Sequence, residues 1–542
     1  RGGSVSGGEG AAGGVSASEL AGVFGREAGP PRIPGDGDAD PVAALPVGSG
    51  PVRRGQVTPG LPSSLGPGPA EEAAIAGVPG NASGGGTEPA ASDLTAVRRE
   101  GGLPVLRSDP LGDGGVGGPP SLRVGLPGRF SRPESDVVQD STSRFAAVRR
   151  TAPMPSALGG TAPLEPAEAF MQRSPTQRGR RAAEFGGGPE TEEAVERALA
   201  FLARVQFPDG HWSLHAVPAE SGLDSRTFAA GTMRGDTAAT GLVLLAFLGA
   251  GYTHTDGKYQ DVVRRGLKWL VARQQADGRL YSAAGDPDPF TKFYGHGLAA
   301  IALCEAYGMT RDPALREPGE KAVDFIVQSQ HPQYGGWRYE PRRESDTSVT
   351  GWQLMALKSA EMAGLDVPPP VLEKVAHWLD LAQTENGARY MYNPHAGETP
   401  SQIHGRVPNR AMTAEGLLMR IYLGWNRTHP PLVQGADFLR GQLPDLGTPQ
   451  HRLRDAYYWY YATQVMFQMQ GDHWRDWNDR IRTILLETQI REGDFAGSWD
   501  PLQPVPDRWA EQAGRLYVTA VHALILEVYY RHLPLYKTLQ AE

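Results

Sequence analysis

Asp236 and Asp346 each open the same short pattern, Asp-Thr-x-x-Thr-Gly, as DTAATG and DTSVTG. If a repeat sets both carboxylates at one opening of a shared cavity, they could act as catalytic acid or base, with Thr237 and Thr347 as ligand-binding hydroxyls beside them. The competing reading is structural, because Asp at a helix N-terminus accepts a backbone N–H and is favoured by the helix dipole. Tyr294, His296, Arg410, Glu415, Tyr457 and His522 fall near the starts of apolar helical segments in the same way, which makes them candidate ligand-binding residues at the same opening. Each also has a plain reading as a satisfied core or rim residue.

Other chemistries are thinner. Cys304, inside IALCEAY, is the one cysteine, so no intrachain disulfide or Cys-based zinc site is available and it reads as a small buried hydrophobe. His211 and His215 stand four apart but past a helix end, where that spacing gives no shared face, and His395 and His404 lie in a loop rich in Asn, Pro and Gly. No metal and no cofactor is expected. The run Tyr457-Tyr458-Trp459-Tyr460-Tyr461 turns about 100° per residue in a helix, so some rings face a cavity and the rest pack.

Composition decides which part of the chain can position these groups. All 11 Trp lie between Trp212 and Trp509, all 18 Tyr between Tyr252 and Tyr536, and all 13 His between His211 and His532. The first 185 residues have none and are dominated by Gly, Pro, Ala, Ser and Arg, too little apolar surface to offset ordering entropy. Residues 1–185 are therefore expected to be a disordered tether and 186–542 the folded part. Within the tether, the basic run Arg173 to Arg181 reads as a solvated patch, with a protein or membrane-surface partner as the alternative. The formal charge of −8 is mixed in sign, which gives no footprint for nucleic acid. No stretch is long and apolar enough for a membrane span; the chain begins with Arg1, so a signal ahead of it stays open. The thiol content fits a cytoplasmic compartment without requiring one.

A repeat organises the folded part. An amphipathic stretch ending in Gln, then a Gly turn and an aromatic, recurs at ALAFLARVQFPDGHW from Ala198, GLKWLVARQQADGRLY from Gly266 and AVDFIVQSQHPQYGGW from Ala322. Weaker copies begin at Val375, Ala436 and Ile484. Each is followed by a second helix that is apolar nearly all round. A helix polar on one side lies on a surface and one apolar on every side is buried, so six pairs imply two concentric layers. Neither terminal pair carries the polar face an open stack would need, so a closed (α/α)6 toroid of twelve helices, all-α in class, is expected.

Gln206-x3-Gly210-x-Trp212 matches the repeat of squalene cyclases, with near matches at Gln274-x3-Gly278-x-Leu280 and Gln489-x3-Gly493-x-Phe495 and looser ones at Gln330 to Trp337 and from Gln383. The folded part resembles the squalene cyclase and protein prenyltransferase superfamily. The resemblance implies an α/α toroid whose central cavity receives isoprenoid chains. It also implies motifs that this sequence lacks. The family's Asp-x-Asp-Asp-Thr proton donor aligns with Arg343-Glu344-Ser345-Asp346-Thr347, where Ser345 stands for the acid, and no Asp-Asp pair occurs to serve a diphosphate and magnesium. The prenyltransferase zinc set fails because no Asp stands two residues before Cys304. Three functions follow as expectations: a cavity that binds an isoprenoid, another lipid or a peptide without the family's chemistry; a terpene cyclase-like or glycan-active enzyme using other carboxylates such as Asp236, Asp346 or Glu344; or a protein-interaction scaffold.

Overall fold

The computed structural model describes residues 170–399 and 402–532. The expectation for the tether falls mostly on residues 1–169, which lie outside the described residues. Fourteen helices are present among the described residues. A short helix, α1 (Pro175–Glu184), precedes six pairs. The first members are α2 (Pro189–Arg204), α4 (Gln260–Arg273), α6 (Pro313–Ser329), α8 (Pro369–Ala382), α10 (Pro430–Arg440) and α12 (Gly471–Thr488). The second members are α3 (Asp236–Gly249), α5 (Lys292–Thr310), α7 (Thr347–Met362), α9 (Arg410–Tyr422), α11 (Ala456–Met469) and α13 (Ala510–Leu526), followed by α14 (Val528–Arg531). One two-stranded ribbon pairs Gln383–Thr384 with Arg389–Tyr390.

The two sets of helices start differently because their surroundings differ. Outer helices α2, α6, α8 and α10 open on Pro, whose fixed φ suits the first turn and whose missing N–H costs nothing there. Inner helices are buried on every side and need polar caps: Asn409 accepts from Met412 and Asp455 from Tyr458. Every inner helix packs on the next and α13 returns to pack on α3, so the inner layer is a closed ring. Small residues permit that approach. A Cβ on Gly241 of α3 would lie 2.6 Å from the Ala299 amide of α5.

The repeated Gln, Gly and aromatic residues hold the layers together. Each Gln amide donates to the carbonyl of its own turn glycine and to a carbonyl of the following outer helix: Gln206 to Gly210 and Val262, Gln274 to Gly278 and Pro318, Gln330 to Gly335 and Val371. Gln489 does the same across the seam, to Gly497 at 3.0 Å and to Ala194 of α2 at 2.8 Å, which closes the outer layer. The last turn therefore reads Gln489 to Gly497 and Trp499, four residues longer than the spacing to Gly493 and Phe495. The Trp499 indole donates to Leu485 as the Trp212 and Trp337 indoles donate to Leu202 and Ile326.

The N-terminal boundary expected at residue 185 needs correction. Residues 170–185 pack on the ring, and Arg173 of the supposed solvated run is buried, 2.6 Å from Glu305 of α5 and donating to the Arg531 carbonyl. Composition missed this because two buried phenylalanines, Phe170 and Phe185, and the Arg173–Glu305 ion pair are enough to anchor a segment otherwise poor in aromatics. No helix is long and apolar enough to cross a membrane among the described residues.

Candidate functional site

The six inner helices run the same way, because residues from their N-terminal ends line one cavity on the ring axis: Leu242, Tyr294, Ser348, Met412, Tyr457 and Tyr517 each come from a different one. The cavity measures about 120 Å³. Leu214, Met233, Leu298, Trp352 and Trp509 make its walls largely apolar. Trp352 stacks on Tyr460 at 5.6 Å and meets Tyr461 edge-on, which forms an aromatic floor. A second, smaller cavity lies at the C-terminal ends of the inner helices, where Arg173, Lys358 and Arg531 converge with Glu305.

A hydroxyl chain crosses the first cavity. The Tyr294 hydroxyl of α5 donates to Ser348 Oγ of α7 at 2.8 Å, and Ser348 Oγ meets the Tyr457 hydroxyl of α11 at 2.5 Å. Tyr457 then donates to the Glu415 carboxyl of α9 at 3.1 Å. Glu415 fits against α7 only because residue 351 is glycine; a Cβ there would lie 2.1 Å from Glu415 Oε1. Glu415 is fully buried, and burial raises its pKa well above the ordinary carboxylate value, against the hydrogen bond from Tyr457. Burial likewise raises the phenols of Tyr294 and Tyr457.

Asp346 stands behind this cavity. Its Oδ1 caps α7 by accepting from Val349 at 2.7 Å, and its Oδ2 accepts from the Tyr392 hydroxyl at 3.0 Å, which in turn meets Tyr339 at 2.6 Å. Tyr392 and Tyr339 line the cavity; Asp346 touches it only through them. Burial pushes its pKa up to about 6, against the pull of Arg338 3.4 Å away and of the Val349 amide. The rest of the segment aligned with the proton-donor motif is unsuited to acid chemistry. Arg343 is exposed and paired with Glu340, Glu344 is exposed and paired with Arg338, and Ser345 Oγ is buried without a partner.

The structure separates the other candidates. Asp236 is not the cap of α3; Asp286, from the loop before α5, takes that place, accepting from the Thr237 amide at 2.9 Å and the Thr237 hydroxyl at 2.8 Å. Asp236 instead lies 3.8 Å from both His211 Nε2 and His215 Nδ1, so the two histidines do converge although no helix relates them. His211 is held by Asp209 and His215 by Ser213. His395 stacks on Tyr334, and His404 lies in a short 3-10 turn. Thr347 donates to the Met391 carbonyl, so both threonines are engaged in loop anchoring. Arg410 donates to the Leu453 carbonyl and lies over the Tyr458 ring. His522 is buried between Trp459 and Trp499.

His296 is a structural residue. Its Nδ1 accepts the Leu280 amide and its Nε2 therefore donates to the Ala322 carbonyl. Thr240, Thr350, Thr413 and Thr519 occupy the equivalent place, each accepting the amide of the turn aromatic at Trp212, Trp337, Tyr390 and Trp499. Burial lowers the His296 pKa to about 4. Sequence reading missed Ser348, Tyr392, Tyr339 and Trp509; the signal for Ser348 was its place one residue after the Asp-Thr pair, on the inward face of α7.

No family model matches the chain. Over 225 residues it is 29% identical to a probable squalene–hopene cyclase of Sinorhizobium fredii, 38% of this chain and 32% of that protein. Over 157 residues it is 30% identical to a drimenyl diphosphate synthase of Streptomyces showdoensis, 28% of this chain and 24% of that protein. The ring is squalene cyclase-like. This chain spans about a third or less of the length of these two cyclase relatives. Among solved structures, a type II terpene cyclase of Scytonema aligns with 63% of this chain and 97% of its own at 14% identity and a TM-score of 0.40. An α-1,6-mannanase of Salegentibacter sp. HEL1_6 aligns with 62% and 98% at 12% identity and 0.42. Burial makes Asp346, in the segment compared with the cyclase motif, a weaker acid than an ordinary carboxylic acid.

Proposed function

We propose that the chain binds an apolar molecule, an isoprenoid or another lipid, in the cavity on the ring axis without the alkene protonation of the cyclases. The observation that carries this reading is the partly open, aromatic-walled space at the N-terminal ends of six inner helices, with a few convergent polar groups of the kind that fix a ligand's orientation. Alkene protonation demands an acid stronger than an ordinary carboxylic acid, whereas Asp346 is held near pKa 6 and reaches the cavity through two phenols. Asp236 and Asp346 serve different partners, so a paired-carboxylate mechanism on a glycan has no support in the geometry.

Native mass spectrometry with lipid extraction on the chain purified from cells tests the reading. A co-purifying lipid is expected, and it is expected to be lost from Ala238→Phe, which fills the cavity from α3. A chain that carries no lipid and takes up none when offered one would overturn the proposal and favour an interaction scaffold.

A further inference from the structure

Besides Asp455 and the paired Tyr339 and Tyr392 hydroxyls, the cavity wall carries a polar patch built from several inner helices. The Tyr294–Ser348–Tyr457–Glu415 chain joins side chains of four different inner helices at 2.8, 2.5 and 3.1 Å. Beside it, the Trp509 ring lies 6.1 Å from the Tyr457 ring, and the Trp509 indole N–H is buried with no partner. An unpaired buried N–H costs about as much as a lost hydrogen bond, and a ligand oxygen is the natural acceptor. The Tyr294 and Tyr457 hydroxyls line the same cavity and keep lone pairs that can accept from a ligand hydroxyl. Among the residues that line the cavity, Arg508 is the one Lys, Arg or His, and it is exposed at the rim.

We infer that the cavity selects an apolar molecule bearing one neutral oxygen, a hydroxyl or a carbonyl, and that this hydroxyl chain with the Trp509 indole is the subsite that reads it. The inference rests on the proposed binding function and goes further by naming the ligand class. A charged phosphate head finds no buried cation here, and its desolvation would go uncompensated. A pure hydrocarbon fills the walls but leaves the Trp509 N–H unpaired. Glu415 ends the chain as a buried acceptor for the Tyr457 hydroxyl.

The test compares three probes with the same fifteen-carbon body, farnesol, farnesyl diphosphate and farnesene, by equilibrium binding to the full chain. Farnesol is expected to bind about ten-fold more tightly than farnesene, the worth of one well-made hydrogen bond to a group otherwise unpaired, and farnesyl diphosphate more weakly than farnesol. Trp509→Phe is expected to reduce the farnesol advantage several-fold while leaving farnesene unchanged. Tyr457→Phe should do the same from the other side of the patch, read on protein shown to be folded by its thermal transition. Equal binding of farnesol and farnesene, or tighter binding of the diphosphate, would overturn the inference and leave the cavity-binding function intact. Failure of all three probes to bind would overturn both.

Discussion

Asp346 and His296 show how burial sets the pH response of single residues in this ring. The carboxyl of Asp346 is displaced from an ordinary value near 4 up to about 6, so the folded state holds its proton more firmly than the unfolded chain. Stability from this group is complete below about pH 4 and is lost as pH rises to about 6, a change of ~3 kcal/mol. Asp346→Asn is therefore expected to gain stability relative to the native chain between pH 4 and pH 6.5. Urea unfolding of the two proteins across that range checks it, and a pH-independent difference would show that Arg338 cancels the burial. His296 behaves in the opposite sense. Its pKa falls to about 4, so its contribution is complete above about pH 6.5 and is lost as pH falls toward 4, again ~3 kcal/mol. His296→Thr restores the acceptor used at Thr240, Thr350, Thr413 and Thr519. It should unfold less steeply in acid while losing about 1–3 kcal/mol at pH 7 to the space it leaves.

At the scale of elements, the repeated Gln is the fastener between consecutive outer helices, and Gln489 matters most because it spans the seam. Gln489→Ala leaves the Gly497 and Ala194 carbonyls without that donor, for an expected loss of about 2–3 kcal/mol in chemical denaturation. The Gln, Gly and aromatic spacing was readable in the sequence because those residues do the same work in the copies at Gln206, Gln274 and Gln330. The offset of the last copy to Gly497 and Trp499 was hidden by Gly493 and Phe495, which satisfy the same short pattern by chance. The cap of α3 was also hidden. Asp236 is the residue a local reading selects, but Asp286, fifty positions on, lies where the Thr237 amide and hydroxyl can both reach it.

For the whole molecule, six parallel inner helices gather their N-termini at one end and their C-termini at the other, and the helix dipoles add. Carboxyl-bearing residues such as Asp286, Asp455 and Asp507 collect at the first end, each accepting backbone amides there. At the second end, cations satisfy carbonyls: Arg531 donates to Leu245 of α3, and Arg173 to Arg531 itself. Glu305 sits between those two arginines at 2.6 and 3.0 Å, which ties the segment before α1 to the ring. Arg173→Ala leaves Glu305 buried with one partner instead of two, and a lowering of stability by about 3 kcal/mol is expected in thermal or urea unfolding. No change would restore the tether boundary to residue 185.

The sequence by itself determined the six helix pairs, their sorting into outer and inner layers, and the toroid, because those depend on periodicity and on which faces can meet water; it did not show the two further helices, α1 and α14. Only the tertiary structure decided which polar residues share the cavity. It grouped Tyr294 and Tyr457 with Ser348, set Glu415 behind Tyr457 and Asp346 behind Tyr392, and gave Asp236 to His211 and His215. It turned Thr237, Thr347 and His296 to loop anchoring and drew Arg173 into the core. The physical reason is that position near a helix start fixes height along the ring axis. Whether a side chain then faces the axis, a neighbouring helix or a loop depends on helix rotation and loop path, which the local sequence leaves free.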